Sequence, residues 1–168
     1  MTSSLGYLVG QPLTWVPTAA LKDRYDLIAP DKTILATLDM GILKNVKALV
    51  PEGTLFIHQE GSLGSKIVIS SGEHGPLLAT YRSEEYSGQL VFPDGRKFIW
   101  GSFNFWQKAW TDPTGHTTYV HFSGGGFSRT STAVIHPQAA EIPDLSVLLV
   151  LGLYQKTIFW RNILRWWR

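Results

Sequence analysis

The amino-acid sequence predicts an all-β fold of about twelve antiparallel strands, followed by a hydrophobic C-terminal helix. Two observations carry this prediction. Between Leu13 and His136, short runs of alternating apolar and polar residues are interrupted by turn residues every eight to twelve positions or so. The segment Leu145–Gln155 then follows with no charged residue at all. The chain of 168 residues, 44% hydrophobic and 17% charged, suits a single domain spanning residues 1–168.

The strands are assigned from this alternation and from the turns between them. Pro93-Asp94-Gly95 and Asp112-Pro113-Thr114-Gly115 combine the fixed φ of proline, a turn-stabilising Asp and a glycine that tolerates positive φ. The predicted strands lie near residues 12–16, 22–28, 33–39, 45–50, 54–60, 65–71, 76–82, 87–92, 96–101, 104–111, 117–122 and 127–136.

Each strand is expected to bury one face. Ile67 and Ile69 share one face of their strand, and Ile34, Ala36 and Leu38 share one face of theirs. Half-buried strands are typical of an antiparallel sheet that is wet on one side. Because an open sheet of this many strands is rare, we expect it to close into a barrel or to split into a sandwich.

The apolar segment near the C-terminus predicts a helix at about 144–165. Pro143 and Asp144 are favourable at the start of a helix. A helix that is hydrophobic on every side is buried either in protein or in a membrane. The charge-free stretch is shorter than the roughly twenty residues that a bilayer requires, and extending it to Leu164 includes Lys156 and Arg161. Burial of this helix inside the protein is therefore favoured, with insertion into a membrane as the alternative.

The order of elements and a diffuse motif give the chain a family resemblance. The carrying residues are the hairpin Leu90-Val91-Phe92-Pro93-Asp94-Gly95-Arg96-Lys97-Phe98-Ile99-Trp100, then Trp106, Trp110, Asp112 and Gly115, and finally Pro143-Asp144-Leu145 before the Leu/Val run. In these features the chain resembles the tubby-like superfamily, which includes tubby C-terminal domains, LURP-one-related proteins and phospholipid scramblases. The resemblance implies a closed antiparallel barrel of about twelve strands, with the hydrophobic C-terminal helix filling its lumen, and an association with membranes. It implies no catalytic residues, and the cysteines and acidic calcium-binding segment of scramblases are missing.

Composition and charge exclude several classes of function. The absence of cysteine excludes disulfides, thiolate nucleophiles and iron–sulfur clusters. Residues 1–155 carry 11 basic and 13 acidic side chains, a net charge of −2, whereas residues 156–168 carry four basic side chains and no acid. Nucleic-acid binding is not expected, because it needs a basic stripe across the body of the domain. The first residues show no signal peptide, so a cytoplasmic location is the expectation.

No motif for catalysis or metal binding is recognisable, so an enzyme is less expected than a binding protein, and no cofactor or metal is predicted. The five histidines show no ligand spacing, although folding could bring them together, and they are His58, His74, His116, His121 and His136. Asp94 and Asp112 are expected to stabilise their turns. Trp106 and Trp110 share a strand face with Lys108 between them. That face is expected to pack in the barrel, with a stacking platform as the alternative.

The last residues are the most distinctive part of the sequence. Arg161, Arg165 and Arg168 fall on one side of a helix, beside an apolar stripe that includes Trp160 and Trp167. Basic residues next to tryptophan are typical of a helix at a bilayer surface, but they also suit the negative C-terminal end of any helix. The candidate lipid contacts are Lys156, Arg161, Arg165, Arg168, Trp166 and Trp167.

These observations predict a non-catalytic, membrane-proximal or lipid-responsive binding module, with an anionic lipid surface as its partner and a peripheral position at a membrane. One alternative is a barrel that binds or converts a small molecule in a pocket at one end. Another is a protein-interaction module whose partner the sequence does not name.

Overall fold

The structure is a computed structural model that describes residues 5–18, 23–41, 45–61, 65–84, 87–102, 107–124 and 130–166, with the side chains of the C-terminal helix described as far as Phe159. It confirms a closed barrel of twelve antiparallel strands with a C-terminal helix. The strands are β1 (Pro12–Pro17), β2 (Arg24–Ile28), β3 (Ile34–Asp39), β4 (Asn45–Val50), β5 (Gly53–Glu60), β6 (Lys66–Ser71), β7 (Leu77–Ser83), β8 (Gly88–Val91), β9 (Lys97–Ser102), β10 (Lys108–Thr111), β11 (Thr118–Gly124) and β12 (Ser131–Ile135). The helix, α1, spans Leu145–Trp166.

Every strand pairs with its neighbours in the chain, and β1 closes the barrel by pairing with β12. At this closure Leu13 lies opposite Ala133 and Trp15 lies opposite Ser131. Closure leaves no free edge strand, which removes the unpaired backbone groups that an open sheet would present to another chain.

Two of the predicted turns are stabilised as the sequence indicates. The Asp94 carboxylate accepts a hydrogen bond from the Arg96 backbone N–H at 3.1 Å, and Gly95 has a φ of 92°. The Asp112 carboxylate accepts one from the Thr117 backbone N–H at 3.0 Å. Hydrogen bonds to the ionised form lower the pKa of each Asp: the Thr114 hydroxyl and then the Thr117 N–H lower the pKa of Asp112, and the Arg96 backbone and side chain lower the pKa of Asp94.

The helix fills the lumen of the barrel. Its residues from Leu145 to Tyr154 are all buried, including Leu148 and Leu151, which are fully inaccessible. Trp110 of β10 is also fully buried, and its indole Nε1 donates a hydrogen bond to the Leu148 carbonyl at 2.8 Å. Trp110 is therefore part of the core, as expected for its strand face.

One burial expectation is wrong. Ile67 and Ile69 are buried as expected, but Ile34 is 59% exposed although Ala36 and Leu38 on the same strand are buried. The register between β2 and β3 shifts near Ile28, so that Ile28 lies opposite Ile34 while Leu27 lies opposite Ala36. Such a bulge breaks the period-two alternation and turns Ile34 outward.

The helix passes β11 so closely that it leaves no room for a side chain at Gly152. A Cβ added there would lie 2.2 Å from Cζ of Phe122. Alanine is favoured over glycine inside a helix by about 1 kcal/mol. We nevertheless expect Gly152→Ala to lower the free energy of unfolding by about 1–3 kcal/mol, since overpacking outweighs that preference. Urea unfolding measures the change.

The matched control for this substitution is Gly101→Ala, because a Cβ added at Gly101 meets no atom within 4 Å. A second change, Phe122→Leu, should recover part of the stability that Gly152→Ala removes. An increase in stability on Gly152→Ala alone would contradict the close packing of α1 against β11.

Candidate functional site

The two ends of the barrel differ in their relation to the helix. We call the end at which α1 begins the entry end, and the end toward which α1 runs the exit end. The entry end is formed by the connections that follow β2, β4, β6, β8, β10 and β12. The exit end lies where the odd-numbered strands end, and the C-terminal half of α1 runs toward it.

The entry end is the acidic part of the molecule. The entry-end connections and the strand residues that border them carry seven carboxylates against three basic side chains, a formal charge of −4. Because the whole chain carries +2, the rest of the chain carries +6. The carboxylates are Asp31, Glu52, Glu73, Asp94, Asp112, Glu141 and Asp144, and the basic residues are Lys32, Arg96 and Lys97.

A cavity of about 400 Å³ opens at the exit end, and we call it the exit cavity. Its walls combine three aromatic residues with seven polar or charged ones. The aromatic residues are Tyr81, Trp100 and Phe159. The polar and charged residues are Ser83, Glu84, Ser87, Ser102, Lys108, Gln155 and Lys156. Two lysines, Lys108 and Lys156, therefore line one cavity together with three aromatic rings.

Lys156 is buried at the inner wall of the exit cavity. It is 5% exposed, and its ammonium donates hydrogen bonds to the Gly124 carbonyl at 2.6 Å and to Ser131 Oγ at 3.4 Å. Its position follows from the helix, because Gly152 and Lys156 are one turn apart and lie against Phe122 and Gly124 of β11. Burial, and secondarily the charge of Lys108, lower the pKa of Lys156 to about 8.

Lys108 approaches the same cavity from the first residue of β10. Its ammonium donates a hydrogen bond to Ser102 Oγ and lies 4.9 Å from the centroid of the Phe159 ring, a cation–π contact. Burial lowers the pKa of Lys108. Among the described residues, neither lysine forms an ion pair with a carboxylate. The two ammonium groups thus lack a fixed counter-ion within the described part of the chain.

The entry end has a cavity of similar size, about 420 Å³, which is lined by the cations Arg96 and Lys97 and by the carboxylate of Glu141. Arg96 lines that cavity and donates to the Asp94 and Asp144 carboxylates, each at 2.6 Å. These bonds tie the β8–β9 turn to the start of α1. Arg96 therefore has a structural role, and the exit cavity is the better candidate for binding an anion.

Folding brings together two histidines that are distant in the sequence. His121 Nδ1 lies 2.8 Å from His136 Nε2, close enough for a hydrogen bond between the rings. Burial and the neighbouring His136 lower the pKa of His121. Among the described residues there is no group of three or more metal-ligating side chains.

Of the predicted lipid contacts, Lys156 is the one whose side chain lies within the described part of the structure. Its burial does not fit a contact with lipid, because Lys156 is only 5% exposed and its ammonium is hydrogen-bonded to the Gly124 carbonyl inside the barrel. Arg161, Arg165 and Trp166 lie in the last turns of α1, and their side chains are outside the described part of the structure. Trp167 and Arg168 are themselves outside the described residues, as is Trp106 of the predicted aromatic face.

Sequence reasoning missed Lys108 as a site residue. The signal was available, because Lys108 is two residues before Trp110 and therefore shares its inward-facing side of β10. A lysine in a row of lumen-facing residues is unusual and points to a polar function within the barrel.

Fold and site together define a closed, helix-filled β-barrel with a cationic cavity at one end. Comparison with models of known families and with curated proteins gives no match. The fold is similar to the X-ray structure of a protein from Arabidopsis thaliana, with a TM-score of 0.62 and 12% sequence identity over 94% of this chain and 98% of that chain. At this identity the similarity concerns the fold alone. No helix in the described part of the chain is long and apolar enough to cross a bilayer.

Proposed function

We propose that this protein is a non-catalytic, membrane-proximal module that binds anionic lipid surfaces with the exit end of its barrel. The observation that supports this most directly is the segregation of charge, −4 at the entry end against +6 for the rest of the chain. The electrostatic field of an anionic surface repels the acidic entry end and attracts the basic remainder of the chain. The field therefore orients the barrel as well as attracting it.

The C-terminal part of the helix adds to this attraction. Beyond Lys156, the last buried residue among the side chains of α1 that the structure describes, the sequence contains Arg161, Arg165 and Arg168 and no acid. Basic residues near an anionic membrane contribute about 1 kcal/mol each. A cytoplasmic position at a membrane surface, and the membrane association implied by the tubby-like resemblance, belong to the same proposal.

Cosedimentation with liposomes tests this function. We expect binding to vesicles that contain phosphatidylserine, little binding to phosphatidylcholine alone, and loss of binding as salt is raised, because exposed charges are screened beyond about 8 Å at physiological ionic strength. Changing Arg161 and Arg165 together to Gln should weaken binding by about 2 kcal/mol, or roughly 30-fold.

The matched control changes Lys32 and Lys97 to Gln, which removes the same charge from the entry end. This variant should bind anionic vesicles as the unmodified protein does. Equal binding to neutral and anionic vesicles, no binding to either, or equal losses in the two variants would each contradict the proposal.

A further inference from the structure

The exit cavity contains the elements of a small-molecule site that does not require a membrane. Tyr81 and Trp100 are 2% and 6% exposed, so their rings form a fixed apolar wall. Their neighbours keep them in place, with Trp100 packed 4.9 Å from Trp110 and 5.4 Å from Phe122 between ring centroids. Ligand pockets commonly combine an aromatic wall with polar groups that fix the orientation of the ligand, and about 400 Å³ lies within their usual size range.

The cations of the cavity are held in place rather than mobile. Lys156 is held by the Gly124 carbonyl and by Ser131, and Lys108 is held by Ser102 and the Phe159 ring. Two neighbouring ammonium groups repel each other, and this repulsion is strengthened by the low dielectric of a partly buried site. An anion placed between them removes the repulsion and supplies the counter-ion that the described residues do not provide.

The charge of the lining selects the class of anion. Glu84 also lines the cavity, and its carboxylate accepts a hydrogen bond from Ser87. Two lysines and one glutamate leave the described lining with a formal charge of +1. A monoanion neutralises this charge, whereas a dianion would leave an excess negative charge in a partly buried site.

We propose that the exit cavity binds a small monocarboxylate with an apolar body, its carboxylate between Lys108 and Lys156 and its hydrocarbon part against Tyr81, Trp100 and Phe159. Medium-chain fatty acids and aromatic acids have this chemistry. The site goes beyond the membrane function and is independent of it, because it uses none of the arginines at the end of α1.

Calorimetric titration of the full chain with octanoate, in buffer without vesicles, tests the site. We expect saturable binding with one octanoate per chain. Octanol has the same chain without the charge, and octyl phosphate has the same chain with a second charge near neutral pH. Both should bind at least roughly tenfold more weakly than octanoate, since a lost charged hydrogen bond or an uncompensated charge costs at least this much.

Lys108→Gln and Lys156→Gln should each weaken octanoate binding by about tenfold or more. The matched control is Lys66→Gln, which removes an exit-end lysine that pairs with Glu60 at 3.1 Å and lies outside the cavity. That variant should bind normally. Absence of saturable binding, equal binding of octanol and octanoate, or unchanged binding by Lys108→Gln would overturn the assignment. Normal octanoate binding by the Arg161/Arg165 variant would separate this site from the membrane surface.

Discussion

Leu149→Asp should abolish the folded barrel. Leu149 lies in the middle of α1 and is 1% exposed, surrounded by the lumen-facing side chains of the strands. An unpaired carboxylate at such a position costs several kcal/mol, which is comparable to the 5–15 kcal/mol or so by which a domain of this size is stable. We expect loss of the cooperative urea transition, and an aggregated or molten product in circular dichroism and size-exclusion chromatography.

The matched control is Leu149→Met, which keeps the volume and apolar character of the side chain and should cost less than about 1.5 kcal/mol. Deletion of the chain from Asp144 onward should resemble Leu149→Asp, because it empties the lumen and removes the carbonyl that Trp110 contacts. A deletion product that stays monomeric and unfolds cooperatively would show that the barrel does not need its helix.

Lys156→Met should make the protein more stable while it removes octanoate binding. The pKa of Lys156 is lowered from 10.5 to about 8, so keeping its ammonium charged in the folded protein at neutral pH costs about 3 kcal/mol. Losing its hydrogen bonds to Gly124 and Ser131 offsets about 1 kcal/mol of this gain. We expect a net increase of about 2 kcal/mol, or a rise in Tm of about 4–8 °C.

The pH dependence identifies the cause of this gain. Below pH 8 the lysine is charged in both folded and unfolded chains, so the variant keeps its full advantage. As the pH rises from about 8 to 10.5 the folded protein releases its proton first, the unmodified protein gains stability, and the advantage disappears. Urea unfolding at pH 7, 9 and 10.5 measures this. A variant that is less stable than the unmodified protein at pH 7 would identify Lys156 as a structural residue.

A residue that lowers stability and faces a cavity is typical of a functional site, because binding sites hold charges in places that folding alone disfavours. The same lysine was predicted as a lipid contact from its place in a basic tail. Its burial instead follows from its distance of one helical turn from Gly152, the residue that lies against β11. The sequence shows that Gly152 and Lys156 are one helical turn apart, but it does not show that this part of the helix contacts β11.

The sequence by itself determined the barrel and its central helix, because both depend on local patterns. Alternation along β6 buries Ile67 and Ile69, and an apolar segment after Pro143-Asp144 forms a helix of the predicted length. Only the tertiary structure decided the exposure of Ile34, the cavity that Lys108 and Lys156 share, and the acidic entry end. They depend on the bulge between β2 and β3, on which strands the helix passes at Lys156, and on which connections lie at the same end of the barrel. All three are set by long-range pairing of the strands rather than by neighbouring residues.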